Sequence, residues 1–361
     1  MLMKNIGILF GGNSTEYKIS LQSAHGVVTH INRRKYNPIL IGITRDGQWR
    51  YYSGPVENIL NDTWSAPDLC QPAIIPPDTR EHSLWIVEDQ RLKKIHLDGV
   101  FPVLHGKNGE DGTVQGLLCM AQIPVIGCKT LSSALCMNKD ASHRLVGAAG
   151  IRVPKTLVLE KETSRIFWCA PEAACAWLTE RLGNLGISLP VFIKPVCAGS
   201  SFGITKISDP SRLAWAVCQA FEHDHQVIIE ENIDGFEVGC AIMGNETLTV
   251  GNIDEIRLSG GFFDYEEKYT LKTSQIFVPA RIPKAKAEEI KETARRIYRI
   301  LNCQDFARID MFLTPSGEIC FNEVNTIPGF TPHSRFPKMM ESAGISFDEV
   351  VDRLIEMEVP Q

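Results

Sequence analysis

Asp310, Glu323 and Asn325 are the residues whose types and spacing most clearly indicate chemistry. Their carboxylate and amide oxygens are hard ligands of the kind that Mg2+ prefers, and Mg2+ usually completes its shell with water and substrate phosphates. Two carboxylates facing each other in an apolar setting need a cation between them, because directly opposed like charges destabilise a sheet. If the three side chains share one face, the sequence predicts a site for a metal ion and a nucleotide.

A β-hairpin is the element that must position these side chains. Apolar and β-branched residues flank the turn signal TPSG at residues 314–317, which predicts two strands joined by a turn. With an even loop, in which Pro315 faces Glu318, Asp310 lies opposite Glu323, and Arg308 lies opposite Asn325. A half-exposed hairpin whose acids face water is the alternative. A three-residue loop with a bulge would shift the register and separate the carboxylates.

Composition restricts the class of protein. The chain has 361 residues, enough for two or three domains, with a formal charge of -6 and no long basic run. This argues against nucleic acid or an anionic membrane surface as the main partner. No apolar run approaches the roughly 20 residues of a membrane span, and we expect a cytosolic protein. The eleven cysteines are scattered without a CxxC pair, which favours reduced, buried thiols.

The N-terminal third has the pattern of an open α/β sheet. The run NIGILFGG, followed by a helix-like segment, predicts a strand, a tight turn and a helix N-terminus, where backbone N–H groups can hold an anion. Glu16 lies in this turn and is a candidate site residue. The alternative is that it is simply a first-turn residue whose charge interacts favourably with the helix dipole. His105 lies in a second glycine-rich turn, HGKNGEDGT, with Glu110 and Asp111. Both turns follow predicted strands, at the edge where such sheets bind ligands.

The middle of the chain contains a glycine-serine loop between two predicted strands, SLPVFIKPVCAGSSFGITKI. It is not a Walker A motif, but its backbone N–H groups and hydroxyls are suited to phosphates, and Lys194 precedes it. A serine-capped helix over residues 131–150 carries Lys139. A flexible surface hairpin and a solvated lysine are the alternatives. Residues 51–80 have no clear pattern and are predicted to be loop.

Acidic residues follow in a predicted strand pair, in which Glu230, Glu231 and Glu237 flank a turn at Asp234-Gly235. Such carboxylates can accept hydrogen bonds from ribose or adenine, or they are edge-strand charges. The polar segment GGFFDYEEKYTLKTS is predicted to be a mobile loop that closes over the site. Two amphipathic helices, AKAEEIKETARRIYRIL and SFDEVVDRLIEM, are interpreted as scaffold.

Six segments in this order resemble the D-alanine-D-alanine ligase family and its vancomycin-resistance relatives: FGGNSTEYKISLQSA, HGKNGEDGTVQG, KPVCAGSSFG, DYEEKYTLKTS, RIDMF and NEVNTIPGFTPHSR. The resemblance implies an α/β protein with the ATP-grasp fold and an N-terminal Rossmann-like domain. It implies three domains, at residues 1–128, 129–223 and 224–361, with a lid loop at about 260–278. ATP, two Mg2+ ions (or Mn2+) and a homodimer are also implied.

The resemblance also assigns roles to individual residues. It implies that Glu16 and His105 act at the first D-alanine and that Ser200 and Tyr269 help to close the loop. It implies that Arg308 and the backbone N–H of Gly329 form the oxyanion site. ATP contacts fall to Lys139, Lys194, Ser201, Glu230, Glu231, Glu237 and Lys268. The metal ligands are Asp310, Glu323 and Asn325. The reaction implied is phosphorylation of the first D-alanine to an acyl phosphate, followed by attack of the second substrate's amine.

The second substrate is expected to be D-serine. Tyr269 occupies a lid position where D-lactate-using relatives carry histidine, which disfavours a depsipeptide. Arg335 replaces the leucine common in D-Ala-D-Ala enzymes and, with Asp254, Phe263 and Ser334, resembles the D-alanine-D-serine ligases of the VanG type. An ordinary D-alanine-D-alanine ligase is the nearest alternative. A non-catalytic nucleotide-binding regulator with the same fold is an alternative of another class.

Overall fold

A computed structural model describes residues 3–88, 91–199, 203–258 and 274–360. It contains three β-sheets, which are formed by three successive parts of the chain. Within the described residues, no helix combines the length and the apolar character needed to cross a membrane.

The first sheet has seven strands in the order β6-β5-β4-β3-β2-β1-β7. The strands are β1 Lys4–Gly11, β2 Tyr36–Ile43, β3 Trp49–Tyr52, β4 Cys70–Ile74, β5 Ser83–Glu88, β6 Arg91–His96 and β7 Gly99–Pro102. β1 pairs in parallel with both β2 and β7. Both predicted glycine-rich turns therefore lie at one edge of this sheet.

Glycine is required where β1 ends. Gly11 has a φ of 86°, and a Cβ there would lie 2.2 Å from the carbonyl oxygen of Ile43. Helix α1 (Tyr17–His30) then begins immediately after Glu16 and packs on the sheet. The predicted strand, turn and helix are confirmed here.

The second sheet has four strands in the order β10-β9-β11-β8. These are β8 Thr156–Glu160, β9 Val191–Pro195, β10 Thr205–Ile207 and β11 Gln226–Glu231. The third sheet contains β12 Phe236–Met243, β13 Thr249–Val250, β14 Asp254–Leu258, β15 Ser274–Phe277, β16 Phe306–Leu313 and β17 Ile319–Asn325. Its main order is β15-β14-β12-β16-β17, with β13 paired to β12.

The other helices cover these sheets. They are α2 Glu57–Leu60, α3 Thr113–Met120, α4 Thr130–Met137, α5 Lys139–Ala148, α6 Arg165–Cys169, α7 Pro171–Asn184, α8 Leu213–Phe221, α9 Lys284–Ile300, α10 Arg335–Ser342 and α11 Phe347–Glu358. The two amphipathic helices predicted near the carboxyl end correspond to α9 and α11. Ile290, Ala294 and Ile297 lie on the buried face of α9, with the spacing of one helical stripe.

Several predicted elements were wrong. Residues 51–80 contain the end of β3, the short helix α2 and strand β4 instead of only loop. The predicted single helix at 131–150 is two helices, because Asn138 has extended backbone and its side chain accepts a hydrogen bond from Ala141 N at 2.8 Å. Asn138, not a serine, therefore caps α5. β11 and β12 are not a strand pair, since they belong to different sheets.

Aromatic packing joins the first sheet to the third. Phe101 on β7 contacts Phe306 on β16 and Phe330, with ring centroids 5.9 and 5.7 Å apart. Phe306 also contacts Phe336 on α10. All four rings are buried in one hydrophobic core, and burying such side chains contributes roughly 1.5–3 kcal/mol each. This core brings the glycine-rich turns of the first sheet close to the hairpin of the third.

Candidate active site

The β16–β17 hairpin brings together the predicted metal ligands. Asp310 pairs with Glu323 and Arg308 pairs with Asn325, as predicted. The even loop was wrong, however, and so was the expectation that a three-residue loop with a bulge would separate the carboxylates. Thr314 N donates to Glu318 O at 3.0 Å, which leaves a three-residue loop, and Met311 pairs with Phe321. One extra residue, Asn322, restores the register, so that the two carboxylates still share a face.

One row of residues crosses four strands of the third sheet. Asp254 pairs with Gly239, Gly239 pairs with Asp310, and Asp310 pairs with Glu323. Gly239 leaves space between two acids, and the guanidinium of Arg335 fills it. A Cβ on Gly239 would lie 2.4 Å from both Arg335 Nη2 and Asp254 Oδ1. The guanidinium of Arg335, which enters from α10, therefore lies between Asp254 and Asp310 in this row.

Arg335 is held by three carboxylates. Its Nε and Nη2 donate to the two oxygens of Asp254 at 2.6 and 2.9 Å. Its Nη1 donates to Glu237 Oε1 at 2.9 Å, and its Nη2 lies 3.2 Å from Asp310 Oδ1. Burial alone would lower the pKa of Arg335, but Asp254 and Asp310 outweigh it and raise the pKa well above its ordinary value. The guanidinium is therefore charged, and Ser334 immediately precedes it.

Arg308 also contacts Asp310. Its Nη2 donates to Asp310 Oδ2 at 2.7 Å and its Nε donates to Oδ1 at 2.9 Å. Asn325 Nδ2 donates to the same carboxylate at 2.9 Å. Although burial opposes the charge, the neighbouring Asp310 raises the pKa of Arg308 above its ordinary value. A fixed cation thus lies beside the predicted metal ligands.

The donor set fits Mg2+. Asp310, Glu323 and Asn325 offer hard oxygen atoms, and three such ligands leave half of an octahedral shell for water and phosphates. Among the described residues, no group of three or more histidines, cysteines and acids is arranged to hold an ion. Glu323 Oε2 lies 3.8 Å from Lys139 Nζ, so a basic group already faces this carboxylate from α5.

A second group of polar residues lies where the first sheet meets the segment after β17. Glu16 and His105 are both buried. His105 Nε2 is 3.0 Å from Ser23 Oγ, which accepts a hydrogen bond from Phe330 N at 3.1 Å. Burial lowers the pKa of His105 to about 4, so its imidazole is neutral at pH 7. Gly329, the predicted oxyanion donor, directly precedes Phe330.

Glu110 belongs to this group although no role was predicted for it. Its carboxylate accepts hydrogen bonds from Gly106 N at 2.8 Å and from Ile327 N at 3.2 Å. Burial, followed by the charge of Glu16, raises the pKa of Glu110 to about 8. A Cβ on Gly106 would lie 2.5 Å from Glu16 Oε2, so the turn packs directly against Glu16. In the sequence, the position of Glu110 in the glycine-rich turn was the feature that could have marked it as a site residue.

Lys139 and Lys194 lie where the second and third sheets meet. Lys139 Nζ donates to Ala198 O at 2.7 Å. Lys194 Nζ donates to Glu230 Oε2 at 2.5 Å, and both groups are buried. Burial tends to raise the pKa of Glu230, but the charge of Lys194 outweighs it and lowers the pKa below its ordinary value. The Glu230 carboxylate is therefore ionised.

The remaining predicted residues are dispersed. Glu231 accepts a hydrogen bond from Lys155 N at 2.9 Å, and Ser334 Oγ accepts one from Thr331 N at 3.1 Å. A Cβ on Gly199 would lie 2.6 Å from Glu16 Oε2, so the glycine-serine loop begins beside Glu16. Five predicted site residues lie outside the described residues: Ser200, Ser201, Phe263, Lys268 and Tyr269. The carboxyl end of the predicted lid loop is strand β15, paired with β14.

Comparison with known proteins identifies the family. The family models described as D-ala D-ala ligase N-terminus and D-ala D-ala ligase C-terminus match residues 5–128 and 145–356. The chain belongs to the D-alanine-D-alanine ligase family, whose members have the ATP-grasp fold. It is an ATP-dependent ligase that acts on small amino acid substrates and joins D-alanine to a second unit. The predicted fold and enzyme class are confirmed, and the regulator alternative is wrong.

Individual relatives differ in the second substrate that their names state. The crystal structure of the VanG D-Ala:D-Ser ligase from Enterococcus faecalis is 51% identical, with a TM-score of 0.89, covering 99% of this chain and 100% of that one. A putative D-alanine-D-lactate ligase from Streptomyces coelicolor is 41% identical over 99% of this chain and 98% of its own length. A D-alanine-D-alanine ligase from Caldicellulosiruptor bescii is also 41% identical, over 99% and 96%.

Proposed function

We propose that the enzyme joins D-alanine to D-serine while ATP is converted to ADP and phosphate, for the peptidoglycan precursors of vancomycin resistance. The observation that carries the choice of D-serine is the buried Arg335–Asp254 pair beside Asp310. The similarity to the VanG D-Ala:D-Ser ligase supports the same choice. A cytosolic location and a homodimer stay predictions.

The reaction has two steps. A carboxylate oxygen of the first D-alanine attacks the γ-phosphorus of ATP, giving an acyl phosphate and ADP. The amine of the second substrate then attacks the acyl carbon, and phosphate leaves with the bonding electrons. Lys139 and Lys194 offset charge on the moving phosphoryl group. Glu323 and its partner Asp310, with Asn325, would hold Mg2+, which supplies further charge compensation when bound.

Residues at the first substrate orient it and stabilise charge. Glu16 would bind the ammonium of the first D-alanine, and neutral His105 would assist at the same end. Arg308 would face the oxyanion that develops when the amine attacks, together with the backbone N–H of Gly329. We propose that Ser200 and Tyr269, which lie outside the described residues, help to exclude water, which would otherwise hydrolyse the acyl phosphate.

The hydrogen-bonding capacity of the Arg335–Asp254 pair supports D-serine. Among the described residues, four of the five N–H groups of Arg335 have a carboxylate within reach, which leaves one on Nη1. Asp254 Oδ1 accepts from Gly239 N at 2.7 Å as well as from Arg335, whereas Oδ2 accepts only from Arg335 within the part of the chain that the structure describes. One donor and one acceptor thus remain, and a serine hydroxyl can use both.

Alanine would leave these groups unpaired. The cost of an unsatisfied buried donor or acceptor is roughly 1–3 kcal/mol, which corresponds to a preference of about 5- to 150-fold in kcat/KM.

The test combines product analysis with kinetics. The enzyme is incubated with ATP, Mg2+ and equal concentrations of D-alanine, D-serine and D-lactate, and the products are identified by mass spectrometry. Phosphate release then gives kcat/KM for each second substrate. We expect D-Ala-D-Ser as the main product. A higher kcat/KM for D-alanine than for D-serine at neutral pH would overturn the proposal and favour a D-alanine-D-alanine ligase.

A neighbouring residue offers a matched control. Asp254 and Glu255 are consecutive on β14, both are buried, and each is paired with an arginine. Because consecutive side chains of a strand face opposite sides, only Asp254 faces the row with Asp310. We expect Asp254→Asn to reduce the preference for D-serine to below about threefold, and Glu255→Gln to leave it unchanged.

A further inference from the structure

The extra residue of the β16–β17 hairpin is held by a histidine from α5. His143 Nε2 lies 2.8 Å from the carbonyl oxygen of Asn322. A carbonyl only accepts hydrogen bonds, so Nε2 must carry the proton. The imidazole is buried and also contacts the edge of Phe321, with ring centroids 5.5 Å apart. The hydrogen bond therefore fixes the residue on which the register of the hairpin depends.

Without the extra residue, Glu323 would face the wrong side. Beyond the three-residue loop, Met311 pairs with Phe321, and continuing that register would pair Asp310 with Asn322. A shift of one residue moves a strand side chain to the opposite face of the sheet. The backbone at Asn322 thus decides whether Glu323 can join Asp310 at one ion.

The other nitrogen of His143 faces the nucleotide end of the site. Nδ1 lies 3.9 Å from Glu230 Oε1, and neither atom has a hydrogen-bond partner among the described residues. The second oxygen of Glu230 accepts from Lys194. His143 therefore lies between the Lys194–Glu230 pair and the hairpin that carries Glu323.

We propose that His143 is a positioning residue that holds Glu323 in register for the metal ion by fixing the carbonyl of Asn322. This inference rests on the proposed function, because it takes Glu323 as a metal ligand. Loss of a partner that orients a metal ligand typically weakens metal binding by 10- to 100-fold. The same range is expected when His143 loses its donor.

Three variants separate positioning from general stability. His143→Leu removes the donor, whereas His143→Gln places an amide N–H near the position of Nε2. Tyr298→Phe is the matched control, since Tyr298 Oη donates to the carbonyl of Gly244 at 2.9 Å in the buried core of the same sheet. It also removes a buried hydrogen bond to a backbone carbonyl, but at a distance from the hairpin turn.

Metal binding is measured by the electron paramagnetic resonance of Mn2+ in the presence of ADP, with ADP affinity in EDTA and Tm as parallel measurements. We expect His143→Leu to raise the Kd of Mn2+ at least tenfold, with ADP affinity in EDTA changed less than threefold. His143→Gln should remain within threefold of the parent. Tyr298→Phe should lower Tm without changing the Kd of Mn2+.

The outcomes distinguish the two proposals. Equal Mn2+ affinity of the parent and His143→Leu overturns the role of His143 and leaves the proposed function intact. A parallel loss of Mn2+ affinity in Tyr298→Phe also overturns it, because the effect would then follow from stability. If the parent binds no Mn2+ with ADP, or makes no D-Ala-D-Ser, the proposed function itself fails.

Discussion

Replacing Arg335 by methionine should destabilise the enzyme by about 3–5 kcal/mol. The guanidinium is only 9% exposed, and its main partner Asp254 is 0% exposed. Methionine keeps much of the side-chain volume but leaves the Asp254 carboxylate buried. Of its three hydrogen bonds with described residues, the one from Gly239 N–H remains. Asp310 is affected less, since Arg308 still neutralises it.

A double-mutant cycle isolates the interaction. Asp254→Asn keeps the acceptor for Gly239 and removes the buried charge, so adding it to Arg335→Met should recover part of the loss. We expect a coupling free energy of about 1–3 kcal/mol from urea unfolding at pH 7. Arg281→Met is the control, because Arg281 pairs with Glu255 but its side chain is 46% exposed. It should cost about 1 kcal/mol or less.

Two results would refute this reasoning. If Arg335→Met costs less than about 1 kcal/mol, the Asp254 carboxylate is better solvated than its burial indicates. If the two substitutions are additive, Arg335 and Asp254 do not interact energetically, and the hydrogen-bonding argument for D-serine loses its basis.

Three further predictions follow from the same contacts. Gly239→Ala should lower the free energy of unfolding by about 1–3 kcal/mol and abolish the preference for D-serine, because its Cβ would displace the Arg335–Asp254 pair; an unchanged Tm would contradict this. Glu110→Gln should remove a pH dependence of stability. Because burial and Glu16 raise the folded pKa to about 8 from an ordinary 4.5, the contribution is present below pH 4.5 and lost as the pH rises through 8. Urea unfolding at pH 5.5, 7 and 8.5 measures this slope, and an equal slope in the variant would contradict the assignment. Glu323→Ala should lower ATP consumption by more than about 100-fold; phosphate release at the parent rate would exclude Glu323 as a metal ligand.

Local patterns predicted much of the fold. The apolar stripe of α9 and the glycine-rich ending of β1 depend on neighbours in sequence, and both are present in the structure. The pairing of β11 and β12 was wrong, because a turn signal at Asp234-Gly235 does not determine whether the strands on either side join the same sheet. Sheet membership depends on partners such as β8 and β16, which lie far away along the chain.

The sequence predicted the site only in part, because the contacts that form it also join residues that lie far apart along the chain. The resemblance to a family indicated Arg335 and Asp254, but neither local pattern nor spacing showed that the two form a buried pair across 81 positions of sequence. The involvement of Glu237 in that pair was not predicted, because its carboxylate was assigned to the ribose. The raised pKa of Glu110 arises from burial and from the charge of Glu16, at a position that is in contact with Ile327, 217 positions away in the sequence.

The hairpin shows why the predicted pairing of Asp310 with Glu323 was right although the predicted turn was wrong. The three-residue loop moves the pairing by one residue, and the extra residue Asn322 moves it back. Because side chains alternate between faces, two one-residue displacements return Glu323 to its original face. The face shared by the two carboxylates is therefore compatible with either an even loop or an odd loop and a bulge. A local turn signal cannot distinguish these arrangements, since the difference lies in the backbone at Asn322 and in the contact that His143 makes with it.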